Sequence, residues 1–290
     1  MVDLKPRPAV YSLKEVVSST SIGGVGRYST QFSNRKPFPF VVIDNFFKHE
    51  IASCLANEID SLGDDDYRVS FRSLAQRKLQ IGNIGGVVPH LLPFYEALMS
   101  PEFTHFVGQV TGYRELSADR QFTGAGLHRY RDHGFSEIHL DSNRHPFDTG
   151  LRHRVNLLIF MNPAWGAEWG GELVLWSSEN GKPTCPAVSI KPILNRAVIF
   201  EVAKTSWHSV STIQCPRVRV RNSMAIYYFN RLATANDEKA RSVMWHSTRG
   251  WPRQPIFEMT NRIITLAKPF ARHLRWLRSN KFDGVQSPNL

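Results

Sequence analysis

Apolar positions recur along this chain with two different periods, and the change near Gln121 divides it. Before that point the spacing is helical. Ile51, Leu55, Ile59 and Leu62 fall at three- and four-residue intervals, which predicts a helix over 49–62 with one face toward a core. Gly63 and the acidic run Asp64-Asp65-Asp66 end it. A second helical region spans 91–110 and breaks at Ser100-Pro101, where Ser100 suits an N-cap and Pro101 the first helical position. Phe40-Val41-Val42-Ile43 reads as a short buried strand. Residues 1–36 are polar, with Ser18-Ser19-Thr20-Ser21 and Gly23-Gly24-Val25-Gly26, and read as a loop or arm able to fold over a site as a lid.

From Gln121 onward the pattern predicts strands. Those at 124–130 and 136–141 read as neighbours joined at Asp132-His133-Gly134. Residues 154–162 form a long apolar run, suited to a strand covered on both faces. Further strands are expected at 172–176, 197–202, 207–213 and 217–230, with turns at Pro163-Ala164-Trp165-Gly166 and over 179–183. Short strands at near-regular spacing argue for a barrel or sandwich, here mainly β with flanking helices. Past Asn230 the barrel pattern stops. Residues 257–279 read as a basic amphipathic helix interrupted by Pro269. Its apolar stripe is expected to pack on its own barrel or on a second copy, which would make a homodimer. The predicted organisation is therefore an arm at 1–36, a β domain with N-terminal helices at 37–230, and a helical extension at 231–290.

Composition narrows the class only a little. A hydrophobic share of 42% in 290 residues is ordinary for a protein with a full core. No apolar run approaches the ~18 residues of a membrane span, and the first residues lack the charged-then-apolar design of a signal peptide. Three scattered cysteines fit a reducing compartment and no disulfide framework, so a cytoplasmic location is expected. The net charge of +11 would suit an anionic partner, yet no nucleic-acid motif is present. Part of the excess lies at 144–154. There Arg144, Arg152 and Arg154 either line a site and meet an anionic substrate group or face solvent.

The candidate chemistry lies between Gly134 and Phe229. In His139-Leu140-Asp141 the outer two residues share one face of a strand, so imidazole and carboxylate can converge. His208, on a later strand, can complete a trio. Two histidines and a carboxylate that leave coordination positions open are the site type of non-heme Fe(II) oxygenases. Arg221 and Ser223 share a face of the last strand and could grip one carboxylate. Arg217 and Arg219 share that parity, so parity alone does not choose among the three arginines.

Tyr130, the trio, the run from Asn156 to Asn162, Gly170-Gly171-Glu172-Leu173, Val198-Ile199-Phe200, Trp207-His208 and Arg221-Asn222-Ser223 occur in a characteristic order. In this order the stretch resembles the 2-oxoglutarate/Fe(II)-dependent dioxygenase superfamily, in particular its prolyl-4-hydroxylase-like branch. The opening at 37–47 matches more loosely. The resemblance implies a double-stranded β-helix (a cupin-like jelly roll) with Fe(II) held by His139, Asp141 and His208. It also implies 2-oxoglutarate as cosubstrate and dioxygen as oxidant, with succinate and carbon dioxide as coproducts. Its arginine-x-serine pattern selects Arg221, with Ser223, as the cosubstrate anchor. It places Tyr130 nearby, although ordinary strand packing would also account for that tyrosine. Related halogenases lack the carboxylate, so Asp141 favours hydroxylation or a similar oxidation. The expected substrate is a small or carrier-bound molecule. A prolyl-type peptide hydroxylase is the alternative, and a non-catalytic binding barrel a lesser one.

Overall fold

The computed structural model describes residues 11–232 and 239–247. The expected helix at 257–279, and with it the dimer contact, lies outside the described residues. The elements in order are α1 (Leu13–Val16), α2 (Ser19–Gly23), α3 (Val25–Asn34), β1 (Phe40–Ile43), α4 (His49–Ser61), β2 (Val69–Arg72) and β3 (Gln76–Ile81). Next come α5 (Ile84–Val87), α6 (Leu92–Leu98), α7 (Pro101–Thr111), β4 (Ser117–Ala118), β5 (Gly126–Tyr130), β6 (Phe135–Leu140) and β7 (Leu151–Phe160). The chain continues through β8 (Leu173–Glu179), β9 (Lys182–Ile190), β10 (Arg196–Glu201), β11 (His208–Val210), β12 (Arg221–Arg231) and β13 (Met244–His246).

The strands run antiparallel in the order β1-β10-β7-β12-β5-β3-β6-β11-β8-β9. Strands β5 to β12 make the jelly roll. β5, β7, β10 and β12 form one side, and β6, β8, β9 and β11 form the other. The expected link between β5 and β6 is corrected by this topology. They are not paired with each other: β5 pairs with β12, β6 with β11, and β3 pairs with both. The chain turns from one side to the other at 131–134, where His133 has φ +60°. The hairpin of β2 and β3 gave no strong apolar signal because only its inner positions are covered.

β7 is buried on both faces, as its apolar run requires. Val155, Leu157 and Ile159 join the helical layer, in one core with Phe46, Leu55, Phe94, Phe103 and Val107. Phe160, on the other face, packs inside the roll with Phe40, Leu173, Leu175, Val198 and Phe200. α7 starts where the sequence places its cap: the Ser100 hydroxyl accepts a hydrogen bond from the Phe103 N–H at 3.2 Å. One buried cation fastens α4 to the sheet. Arg129 on β5, 1% exposed, donates to the Ile59 carbonyl at 2.6 Å and to Asn222 on β12 at 3.0 Å.

The described part of the N-terminal arm is not a loop. α1 to α3 bury Leu13, Val16, Tyr28 and Phe32 in the helical core. The signals were short: an i,i+4 pair of aromatics, and Ser12 three residues before Glu15, whose carboxylate accepts from the Ser12 N–H at 2.7 Å. Past Asn230, β13 adds a strand to β6 where no strand was expected. Its three residues are too few to show a period. No helix of the described residues is long and apolar enough to cross a membrane.

Candidate active site

β6 carries a bulge that sets up the site. His139 is opposite His208 and Ser136 is opposite Val210, so three residue steps of β6 face two of β11. The extra residue turns both Ser136 and His139 inward. Ile138 and Leu140 pack on the other face with Trp207. Asp141, two residues past His139, also faces in. His139, Asp141 and His208 thereby meet, with their ligand atoms all within 4.8 Å of one another. The His139 Nε2 lies 3.7 Å from Asp141 Oδ1, and the His208 Nε2 lies 3.6 Å from Asp141 Oδ2.

Each imidazole is held by its other nitrogen. The Nδ1 of His139 lies 2.8 Å from the Glu137 carbonyl, and the Nδ1 of His208 lies 2.9 Å from the Ser206 carbonyl. A carbonyl only accepts, so both Nδ1 atoms carry a proton, and in each ring Nε2 is the nitrogen turned toward the carboxylate. Burial, helped by the neighbouring His208, pushes His139 down to about 3, so it is neutral at physiological pH. Burial resists the charge on Asp141, but His208 and His139 outweigh it and hold the carboxyl well below its usual range. Two imidazole nitrogens and one carboxylate oxygen that converge in this way fit a divalent first-row ion.

Sequence reasoning gave three neighbours of the trio no role. Asn156, on the inner face of β7, donates from Nδ2 to Asp141 Oδ2 at 2.7 Å and is 1% exposed. A lone amide inside an apolar run was the available signal. Trp245 on β13 stacks on His139, with ring centroids 4.7 Å apart and 26° between planes. Arg241, in the segment leading to β13, donates to the Asp141 carbonyl at 3.1 Å.

Arg221 opens β12 opposite Tyr130 on β5 and is 1% exposed. Its guanidinium lies between two rings, 5.0 Å from the Tyr130 centroid and 4.9 Å from that of Phe160. The Nε donates to the Gly171 carbonyl at 2.6 Å. Among the described residues no carboxylate lies within ion-pair distance of it. Burial lowers its pKa to about 10, which leaves it cationic at pH 7. A buried cation with its outer nitrogens unpaired has room for an anion. Arg217 and Arg219 are exposed and precede the strand, with Arg219 over the Trp169 ring at 5.9 Å. Ser223, buried, follows on the inner face of β12. Tyr130 is buried, and its hydroxyl lies 3.1 Å from the Ser136 Oγ.

The basic run is more engaged than a solvent-facing row would be. Arg144 and Arg152 are buried and meet at an isolated bridge. Arg154 donates to Asn230 at 2.8 Å and lies over the Tyr113 ring. The other histidines have local partners. His128 bonds the Gly124 carbonyl at 3.0 Å, His153 the Ser142 carbonyl at 3.1 Å, and His145 lies 3.4 Å from Asp119.

A jelly roll with an inward His-Asp-His trio, and a buried arginine without a carboxylate partner among the described residues, offers the donor set of a facial-triad iron site. Comparison with known proteins agrees. Residues 125–250 match the model of the 2OG-Fe(II) oxygenase superfamily. Among solved structures it is similar to a Pseudomonas putida prolyl-4-hydroxylase, with 16% identity and a TM-score of 0.50 over 72% of this chain and 99% of that one. A Trichoplax adhaerens prolyl hydroxylase, solved with a hypoxia inducible factor peptide fragment, matches at 19% identity and TM-score 0.48, covering 73% of this chain and 93% of that one. A Burkholderia pseudomallei oxidoreductase of the 2OG-Fe(II) oxygenase family matches at 21% and 0.47, covering 71% and 91%. At 16% identity the likeness to the Pseudomonas putida protein shows the fold alone. No curated protein matches the chain.

Proposed function

We propose that this chain is an Fe(II)- and 2-oxoglutarate-dependent dioxygenase that uses dioxygen to hydroxylate an unactivated C–H bond of a small or carrier-bound substrate, a reading supported by the superfamily match over residues 125–250. His139, Asp141 and His208 hold the metal, and Arg221 with Ser223 anchors the distal carboxylate of 2-oxoglutarate. Iron held by the trio supplies the oxidising chemistry, with succinate and carbon dioxide as coproducts. The protein's part is to hold, orient and exclude water. The two Nδ1–H···O=C bonds keep the Nε2 lone pairs aimed at one point, and Asn156 fixes the carboxylate between them. Phe160 and Tyr130 keep water from the guanidinium, which strengthens its grip on an anion. Tyr130 forms the near wall of the cosubstrate site. Arg144 and Arg152 are the candidates for meeting an acidic group of the substrate.

The observation that carries this reading is the buried Arg221, with no acidic partner, in the same jelly roll as the trio. The test is succinate release from 2-oxoglutarate with Fe(II) and ascorbate. R221Q should raise the KM for 2-oxoglutarate by about 100-fold or more, the scale of a lost charge-assisted pair. Turnover by R221Q at wild-type KM would sink the reading. A second reading, prolyl-type hydroxylation of a peptide, is supported by the name of the Pseudomonas putida neighbour. Small-molecule and proline-containing peptide panels, scored for a gain of one oxygen atom, separate the two.

A further inference from the structure

The geometry points to Gly171 and Ser211 as positioning residues that keep Arg221 open to a dicarboxylate: Gly171 pins one edge of the guanidinium, and Ser211 restrains Glu172, the acid that follows Gly171 in the chain. This rests on the reading of Arg221 as the cosubstrate anchor. Gly171 has φ +78°, and a Cβ there would stand 3.0 Å from Arg221 Cδ and 3.1 Å from Ile213 Cγ1. Gly170 before it has φ +66°, and a Cβ there would meet the Thr212 carbonyl at 2.2 Å. The pair lets backbone approach the arginine closely enough for the Gly171 carbonyl to take the Nε proton. With Nε occupied, the Nη edge remains for a ligand.

Glu172 follows directly and would be a natural partner for that edge. It is diverted instead. Glu172 and Ser211 flank the paired ends of β8 and β11, one step beyond Leu173 and Val210. The Glu172 N–H donates to the Ser211 Oγ at 3.0 Å, the Ser211 N–H donates to the Glu172 carbonyl at 3.1 Å, and the Ser211 hydroxyl donates to Glu172 Oε2. Glu172 still acts on Arg221 through space, so the two are close without pairing. Without the Ser211 hydroxyl, the carboxylate loses its donor and is free to compete with 2-oxoglutarate for the arginine.

The test measures 2-oxoglutarate binding by calorimetry on the Mn(II)-loaded protein, beside KM and kcat of the Fe(II) enzyme. S211A should raise Kd and KM about tenfold, with kcat changed less than about twofold. In the E172Q background the same S211A change should move Kd less than about twofold, because the competitor is gone. G171A should weaken binding in both backgrounds. If it does not fold, the Ser211–Glu172 cycle still decides. Wild-type Kd for S211A, or an equal S211A loss in the E172Q background, overturns the proposal. R221Q separates the two levels. If R221Q binds like wild type, the anchor reading fails and this proposal falls with it. If R221Q loses binding while S211A keeps it, only the positioning claim fails.

Discussion

Asn156 illustrates how much one side chain decides at the residue scale. Its Nδ2 bond holds one carboxylate oxygen of Asp141, while the two imidazoles are fixed by backbone carbonyls. The histidines therefore depend on main chain and the aspartate on a single amide. N156A should reduce Fe(II) affinity by about 10–100-fold, the usual cost of removing a partner of a metal ligand. Metal titration followed by competition with a chelator reads this directly, and unchanged affinity would show that Asp141 needs no support.

At the scale of elements, the roll is held open by its helical layer. α4 to α7 cover the outer face of β7 and β12, so losses there reach the site only through those strands. The start of α7 is a clear place to measure this. S100A removes the acceptor for the Phe103 N–H and should cost about 1 kcal/mol in urea unfolding. The KM for 2-oxoglutarate should stay unchanged in that variant. Coupled losses would mean that the cap and the site share one cooperative unit. β13 is the opposite case: three residues bring Trp245 onto a metal ligand, a contact set entirely by pairing with β6.

At the scale of the whole molecule, the site lies in a buried polar island where burial disfavours charge on three histidines. His128, His139 and His153 are all held below the ordinary histidine range by burial. The unfolded chain takes up protons on these groups near pH 6.5. The stability of the metal-free protein is therefore fully present above about 6.5 and is lost as pH falls through it. His139, pushed down to about 3, accounts for roughly 2 kcal/mol of this between pH 6.5 and 5. Urea midpoints should fall over that range, with a shallower slope for H128Q. A flat profile would contradict the burial of these rings. Metal that binds only the folded state should add about 2.7 kcal/mol at a hundredfold excess over Kd. D141A should abolish that gain, as thermal melts with and without Mn(II) would show.

The local pattern by itself marked most strands of the central stretch and the residues able to ligate a metal, but it missed β9, whose mostly exposed, proline-interrupted sequence shows no alternation. A period of two put His139 and Asp141 on one face, and an apolar run marked β7 as covered on both sides. The spacing of α4 and the break at Ser100-Pro101 were legible for the same reason: each is set by neighbours within four residues. Parity could not separate Arg217, Arg219 and Arg221. The structure buries Arg221 and leaves the other two outside because β12 begins at residue 221. The separation of β5 from β6, the helices of residues 13–34, Asn156 on the carboxylate and Trp245 on His139 were likewise decided by the tertiary structure. Each depends on contacts between segments distant along the chain, and hydrophobic period carries no information about which distant strand a residue will face.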